Sequence, residues 1–457
     1  MNQQNHTGLS FSPILILLLA AVVAGCGGSP APAAAPTQAP AATQAPTAAP
    51  APTTAPARTT APAPNSAPSP TPQPVALTFA FPDDAASAAA SMAQIQAYTR
   101  EHPEVQITAK PLPAADYARQ LLDSIDSSAP DLFVSADSLA PALINRKAAL
   151  DLQGLLGSQS ALKPADFAPA ALAAWQRGAS LYALPADAVP QVLFYNQDLF
   201  DAAGVAAPSA GWTWDDWLDK AKQLTVRSGK QITRYGTALS TWAGMVWGNG
   251  GELLNESGTQ TLLTSPEAIA GVQFAADMVN VHRVAPAPKD AGGPDPVELF
   301  KNQQVAMLPG ASSLAGRLLE AKLPFKWAIA PLPTGKVAVS PISVSGLAIS
   351  ARSPNAPAAL DFATWIVGPA GSALKLDVAP FVAPALRTAT AQPGQISGEE
   401  AILQALKNGR TQPQVEVWPE VKALVDQALR PVWQGKQSVK AAYRQIEPQV
   451  NELLKTG

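Results

Sequence analysis

The fold is decided by the stretch from Ser180 to Leu224, which reads SLYALPADAVPQVLFYNQDLFDAAGVAAPSAGWTWDDWLDKAKQL. Two short runs at its start, YALP and QVLFYN, predict strands, and residues 186–190 between them, ADAVP, are interpreted as a short crossing segment. QDLFDAAG then predicts a short helix that is closed by Gly204. Alternating strands and helices of this kind, which recur along the chain, indicate an α/β protein with a mostly parallel sheet.

The same stretch contains three tryptophans and several carboxylates, so it is either a catalytic centre or the frame of a binding site. TWDDWLDKAKQL predicts a helix with Thr213 as its N-cap, which places Asp215 and Asp216 in the first turn. Carboxylates there complement the helix dipole and bind free amide groups, so we interpret the pair as structural rather than catalytic. Trp214 and Trp217 are three residues apart on one helix face, which predicts packing positions.

The chain begins with a segment that is typical of an export signal. Residues 14–24, ILILLLAAVVA, are too few to cross a bilayer, which takes about 20 apolar residues, but they suit a secretory signal. VAGC, which ends at Cys26, follows and resembles the lipobox of bacterial lipoproteins, although no Lys or Arg precedes the apolar core. The resemblance implies that residues 1–25 are a signal peptide and that Cys26 carries a lipid. The alternative is an uncleaved anchor with a chance cysteine.

Residues 26–74 predict a disordered tether. From Ser29 to Pro74 the sequence is dominated by Ala, Pro, Thr, Gln and Ser, and Arg58 is its only charged residue. Pro-rich sequence without an apolar period favours extended, polyproline-like conformations. Folding sequence begins near Val75, and the roughly 380 residues that follow are enough for two domains of ordinary size.

Composition and motif spacing argue against nucleic acid and against catalysis. The net charge is −3 and no basic stripe with interleaved aromatics is present, which disfavours a nucleic-acid partner. The three histidines (His6, His102 and His282) have no metal-binding spacing, and no serine stands in a Gly-x-Ser-x-Gly elbow. A glycan-acting enzyme needs two carboxylates facing each other across a sugar, and nothing in the sequence places such a pair. We therefore expect a protein without enzyme activity, metal or cofactor.

Polar residues follow two predicted strands near the start of the folded region. VALTFAF (75–81) and DLFVSA (131–136) predict these strands. Ligands of open α/β sheets bind outside the carboxyl ends of the strands. Those ends carry FPDD, with Asp83 and Asp84, and SADS, with Asp137.

A series of motifs continues this pattern to the C-terminus. The opening stretch supplies Leu-Tyr-x-Leu-Pro, Tyr-Asn, Asp-Leu-Phe and Ala-Gly, and PDLFVSAD precedes it. After it come GNGGELLNESGTQTLLTSPEAIAGVQFAADMV, LFKNQQVAMLPGASSL, WAIAPLPTG and SVSGLAISARSPNAPAALDFATWIV. Their order and spacing resemble those of the bacterial extracellular solute-binding proteins of family 1, the maltose-binding-protein-like receptors of ABC sugar importers. The resemblance covers residues 75–457.

The resemblance implies the class II periplasmic-binding fold. In this fold two α/β lobes enclose an interlobe ligand cleft and are joined by crossing segments that act as a hinge. ADAVP would be the first crossing, residues 308–312 the second and residues 368–374 the third. The implied division is lobe 1 from residues 75–188 and 309–368, and lobe 2 from residues 189–308 and 369–457.

Several charged residues are candidate ligand contacts in that cleft. The resemblance implies that Asp83 and Asp84 bind sugar hydroxyls and that Asp137 is an acidic site position, while Asp187 lies in the first crossing. The alternative for Asp137 is a cap on the helix that follows it. Arg387, in APALRTA, is a further candidate, and a surface ion pair is its alternative.

The resemblance also implies aromatic platforms. Trp418 matches a ring position late in lobe 2, and Trp242 and Trp247 lie where lobe 2 supplies another ring. A flat ring packs on the C–H face of a sugar, but most of the ten tryptophans are expected in the core.

Three positions depart from maltose-binding protein. Val134 replaces an aromatic residue, Val189 an acidic residue and Ser312 a tryptophan. These changes weaken the case for maltodextrin as the ligand.

The implied function is that of a lipid-anchored receptor on the extracytoplasmic face of the membrane, a monomer that captures a sugar or polyol and delivers it to ABC permease subunits. A receptor that feeds a sensory or chemotaxis partner is the alternative. Monosaccharides, oligosaccharides, polyols and glycerophosphodiesters all suit this architecture.

The lipobox-like motif gives a first testable prediction. Cys26 should be the N-terminus of the mature protein and should carry a lipid on its thiol. Mass spectrometry of the protein extracted from membranes measures this directly. A mature chain that retains residues before Cys26, or a chain with a free thiol there, would contradict the prediction.

Overall fold

The structure is a computed structural model that describes residues 74–159, 162–387 and 396–456. The predicted signal peptide (residues 1–25), Cys26 and the predicted tether up to residue 73 lie outside these residues. Within them, strands β1 to β13 are Val75–Pro82, Val105–Leu112, Leu132–Ala136, Gln176–Arg177, Ser180–Leu181, Leu184–Asn196, Val226–Ser228, Gln231–Thr237, Val305–Ala311, Trp327–Ala330, Ser340–Ile349, Ala383–Pro384 and Gly409–Arg410. Helices α1 to α16 are Ala85–Glu101, Tyr117–Ser124, Ala140–Asn145, Gln153–Gln159, Pro169–Trp175, Gln197–Ala203, Trp214–Leu224, Trp242–Gly248, Pro266–Asn280, Pro296–Lys301, Leu314–Glu320, Ala356–Val367, Pro369–Val378, Glu400–Lys407, Trp418–Trp433 and Val439–Thr456.

Lobe 1 is built around β1. Its alternating residues Leu77, Phe79 and Phe81 are buried, and β1 pairs in parallel with β2 on one side and β3 on the other. β11 then pairs with β3 in the antiparallel direction, with Ser345 opposite Ala136. The sheet is therefore mixed, whereas the alternation in the sequence predicts a mostly parallel one.

β6 joins the two lobes as one continuous strand. Its first half pairs with β11, with Ala188 opposite Val344, and its second half pairs with β9 and β10, with Phe194 opposite both Leu308 and Ile329. The segment ADAVP, predicted as a crossing between two strands, is thus the middle of a single strand.

The prolines of β6 explain why the sequence suggests an interruption. Proline has no N–H to give to a sheet, so it is confined to edges and irregular positions. Pro190 is opposite Ile342 at the point where β6 leaves β11 for β9, and its carbonyl accepts a hydrogen bond from Ser312 N at 2.8 Å. Pro185 is opposite Gly346, where the register between β6 and β11 shifts. Both prolines therefore occupy places where the ladder is already irregular.

Lobe 2 is built around the second half of β6. β9 pairs with β6 on one side and in parallel with β8 on the other. Successive residues of β6 face two apolar cores: Val192 and Phe194 enter the larger core that also fills lobe 1, while Leu193 and Tyr195 enter a second core with α7, α9, α15 and α16. Both faces of this half of the sheet are covered, as an α/β layer requires.

The second crossing differs from its predicted place at residues 308–312. Leu308 is still paired with Phe194 in lobe 2, and β10 pairs with the same half of β6. The chain joins lobe 1 only in β11, which begins at Ser340. From the pairing of β9 and β10 we propose that the boundary lies at Ser340 rather than after residue 308.

The third crossing also differs from its predicted place at residues 368–374. α13 packs on α1 of lobe 1, where Gln94 Nε2 donates to the carbonyl of Gly371 at 2.8 Å. The buried side of α14 belongs to the larger core, and the second core resumes at Trp418. We therefore propose residues 408–417 as the third crossing.

The start of α7 confirms the structural interpretation of its acidic first turn. Thr213 is the N-cap: its hydroxyl accepts from Asp216 N at 3.2 Å, and the Asp216 carboxylate accepts from Thr213 N at 2.8 Å. Gly204 closes α6 with a φ of 66°, a left-handed conformation that glycine adopts without strain.

Candidate functional site

A cavity of about 490 Å³ lies where the carboxyl ends of β1, β3 and β9 meet the crossing strands. Both lobes line it, because β1, β3 and α13 belong to lobe 1 and α11 follows β9 of lobe 2. This is where the rule for open α/β sheets predicts a ligand. The lining residues with polar or charged side chains are Asp84, Ser87, Tyr117, Asp187, Ser313, Arg317, Glu320, Ser343, Ser345 and Lys375.

The two acidic residues after β1 differ in their positions. Asp84 lines the cavity and also caps α1, where its Oδ1 accepts from Ser87 N at 3.0 Å. Asp83 is exposed and is not among the lining residues, and its backbone N–H donates to the carbonyl of Leu112 at 2.7 Å. Of the pair, only Asp84 is placed to reach a ligand.

Asp187 lies in the lining with two hydrogen-bond partners. Its Oδ2 accepts from the Ser345 hydroxyl at 2.9 Å and forms an ion pair with Lys375 Nζ. The Asp187 side chain is 13% exposed and that of Lys375 is 26% exposed, so the pair is partly removed from water but open to the cavity. Charged groups held in this way are strong hydrogen-bonding partners for a polar solute.

Asp137 lies behind the cavity wall, not in the lining. Its side chain is almost fully buried, and backbone N–H groups of Val344 and Ser138 bond to it. Burial raises the pKa of Asp137 to about 6, against the opposing effect of those hydrogen bonds. The structure thus favours a structural role for Asp137, in which its side chain links the end of β3 to β11, over direct contact with a ligand.

Trp242 and Trp418 pack on each other in lobe 2. Their ring centroids are 6.2 Å apart. Trp242 Nε1 donates to Asp426 Oδ1 at 2.8 Å, and Trp418 Nε1 donates to Gln412 Oε1 at 2.8 Å. Trp418 is buried and Trp242 is half-buried, and neither lines the cavity. The core alternative therefore fits both rings better than the predicted sugar platform.

Trp247 and Ser312 also lie outside the cavity lining. Trp247 is buried in the second core, with the Arg410 guanidinium 4.9 Å from its ring centroid. Ser312 is fully buried and its hydroxyl donates to the carbonyl of Phe381 at 2.7 Å, whereas its neighbour Ser313 lines the cavity. Neither side chain reaches the cavity in this structure.

Arg387 lies outside the cavity lining. Its backbone N–H donates to the carbonyl of Asp166 at 2.9 Å, and its guanidinium binds the carbonyl of Ala165. These contacts hold the chain after β12 to a short 3₁₀ turn, so we interpret Arg387 as structural.

Of the ten polar or charged lining residues, only Asp84 and Asp187 were candidates from the sequence, and the other eight were not predicted. Ser343 and Ser345 are two residues apart in β11, and residues at that spacing lie on one face of a strand. This spacing in the sequence could have predicted that both serines face the same side. Lys375 and Arg317 had no comparable signal, because they reach the cavity only through the packing of α13 on α1 and the position of α11.

Among the residues that the structure describes, no group of three His, Cys, Asp or Glu side chains is placed to hold a metal ion. A search of the same residues also finds no helix with the length and apolar character needed to cross a membrane.

Comparison with known families identifies the chain. The profile of the bacterial extracellular solute-binding proteins matches residues 82–373, which is more than half of the sequence. The chain belongs to this family. The two-lobe α/β fold is therefore that of a solute-binding protein.

Sequence relatives of this solute-binding protein match only in part. The arabinooligosaccharide-binding protein of Halalkalibacterium halodurans is 32% identical over 158 residues, which is 33% of this chain and 35% of that protein. A putative binding protein of Brucella abortus is 28% identical over 159 residues. The chain spans little more than a third of the length of these curated relatives.

One solved structure aligns with this chain over nearly the whole length of the solved chain. The ABC substrate-binding protein from Listeria monocytogenes in complex with cycloalternan has a TM-score of 0.72 and 23% identity, and the match covers 84% of this chain and 99% of that chain. At this identity the likeness shows a shared fold.

The buried carboxyl of Asp137 gives a prediction for pH dependence. A pKa raised from 3.8 to about 6 means that the native state holds this proton more tightly than the unfolded chain. The contribution to the free energy of unfolding is therefore largest below pH ~4 and is lost as pH rises to ~6, by up to ~3 kcal/mol. Asp137→Asn should remove this loss, because the amide oxygen still accepts the backbone N–H groups.

Urea unfolding of the native protein and Asp137→Asn at pH 4 and pH 7 measures the effect. The variant should gain stability relative to the native protein at the higher pH. Equal differences at both pH values would show that Asp137 ionises without a burial penalty.

Proposed function

We propose that this solute-binding protein captures a carbohydrate in the cavity between its lobes and delivers it to the permease of an ABC importer. The observation that supports this most is the lining itself. Charged and hydroxyl side chains from both lobes meet at strand ends in a chain of the solute-binding family. A concave site with a few convergent polar groups is the usual form of a small-molecule site.

The chemistry of the lining favours a carbohydrate. Carboxylates such as Asp84 and Asp187 accept pairs of hydroxyl protons, while Lys375, Ser343 and Ser345 donate to hydroxyl oxygens. Apolar residues between them, such as Val189 and Val378, offer surface for C–H groups. The names of similar proteins point the same way, since one is an arabinooligosaccharide-binding protein and another was solved with cycloalternan.

The remaining parts of the proposal rest on the sequence. Residues 1–25 would direct export, Cys26 would hold the mature protein to the membrane, and residues 26–74 would let the binding domain reach its permease partner. We propose that the protein acts as a monomer on the extracytoplasmic face. Delivery of the ligand to a sensory partner is the alternative, and the cavity would serve either role.

A ligand panel tests carbohydrate binding. The melting temperature of the protein is measured with L-arabinose, D-glucose, maltose and maltotetraose, and with L-leucine and glycerol 3-phosphate as solutes of other classes. At about 100 times its Kd, a ligand adds ~2.7 kcal/mol to the free energy of unfolding. At least one sugar should therefore raise the melting temperature by a few degrees, and its binding should saturate at one equivalent in calorimetric titration.

The other solutes serve as controls for nonspecific stabilisation. Stabilisation by L-leucine or glycerol 3-phosphate, with no response to any sugar, would contradict the carbohydrate assignment and leave the solute-binding family intact.

A further inference from the structure

The ion pair in the cavity wall leaves both partners with unused hydrogen-bonding capacity. The Ser345 hydroxyl and Lys375 Nζ both bond to the same oxygen of Asp187, Oδ2. The other carboxylate oxygen, Oδ1, accepts no hydrogen bond within the part of the chain that the structure describes. A lysine ammonium has three donors, and the bond to Asp187 uses one of them.

An anionic acceptor beside a cationic donor matches the chemistry of a 1,2-diol. One hydroxyl donates a hydrogen bond to the carboxylate, and the neighbouring hydroxyl accepts one from the ammonium. Each donor of the diol site therefore meets an acceptor. Because Asp187 and Lys375 neutralise each other, the wall has little net attraction for an anion. An anionic group that approached Lys375 would also be repelled by the Asp187 carboxylate beside it.

The cavity provides no ring on which a chain of sugars could stack. No tryptophan is among its lining residues, and the two aromatic residues that are, Tyr117 and Phe381, are 7% and 2% exposed. The Tyr117 hydroxyl also bonds to the carbonyl of Val134 at 2.6 Å. Sugar units beyond the first one or two would therefore lack the aromatic surfaces on which sugar faces pack.

We propose that Asp187 and Lys375 bind two neighbouring hydroxyls of a monosaccharide or disaccharide and thereby select short neutral sugars over longer oligosaccharides. This rests on the proposed carbohydrate function and adds the size of the ligand and the residues that select it. Ser345 is the positioning residue, because its hydroxyl fixes the carboxylate that the ligand meets.

Calorimetric titration with L-arabinose, D-glucose, maltose and maltotetraose tests the proposal in the full-length protein and in Asp187→Asn and Lys375→Met. The shorter sugars should include the tightest ligand, and each substitution should weaken its binding about 10- to 100-fold, the range for a hydrogen bond to a charged group. In the double variant the loss should be smaller than the product of the single losses, since both groups hold the same diol.

Lys289 and Asp295 provide a matched control, because they form an ion pair of the same type, with 2.8 Å between Nζ and Oδ2, away from the cavity. Lys289→Met and Asp295→Asn should leave the Kd within threefold of the native value. Melting curves without ligand show whether each variant folds. If Asp187→Asn fails to fold, Lys375→Met decides, because a quarter of that side chain is exposed.

The outcomes separate this proposal from the one on which it rests. Binding of a sugar that is unchanged in Asp187→Asn and Lys375→Met would overturn the diol site and keep the carbohydrate function. Maltotetraose binding tenfold more tightly than maltose would overturn the size limit. No binding of any sugar to the native protein would overturn both proposals.

Discussion

The cleft depends on β6 being hydrogen-bonded along its whole length, first to β11 in lobe 1 and then to β9 and β10 in lobe 2. Because one strand serves both halves of the sheet, the strand ends of the two lobes face the same space. The change of partner at Pro190 is possible because proline has no N–H to leave unpaired there. β11 pairs with β6, and β13 pairs in turn with the start of β11, so these segments complete the connection between the lobes.

This arrangement places charged side chains in the cavity wall while the structure around them stays apolar. Asp187 projects from the first half of β6, and Ser345 projects from the partner strand opposite it. Lys375 reaches the same point from α13, which is held on α1 by the bond from Gln94. Each of the three depends on a different element, so the site exists only when lobe 1 is fully packed. Asp137 contributes to the packing of lobe 1 by joining the end of β3 to β11.

Local features were predictable from sequence because they depend on nearby residues. The cap at Thr213, the glycine that ends α6 and the strand β1 all follow from patterns of a few residues. The family was predictable from the order of motifs over the whole folded region, and the profile match confirms it.

Features that depend on distant pairing were not predictable in this way. Pro185 and Pro190, which stand on either side of Asp187, suggest a loop in the sequence, and only the partners of β6 reveal that the strand continues through them. The tryptophans were candidates for the site because their residue type suits sugars, yet their burial depends on α15 and the rest of the second core. Lys375 has no signal in the sequence, since only helix packing brings it to Asp187.

A crystal structure of the protein with a sugar from the panel that stabilises it would show whether the cavity between the lobes, at the middle of β6, is the ligand site. We predict density for one sugar molecule there, with hydroxyls bonded to Asp187 and Lys375 and contacts from α11 of lobe 2. Density for the sugar at any other place, with this cavity filled only by water, would show that the ligand site lies elsewhere.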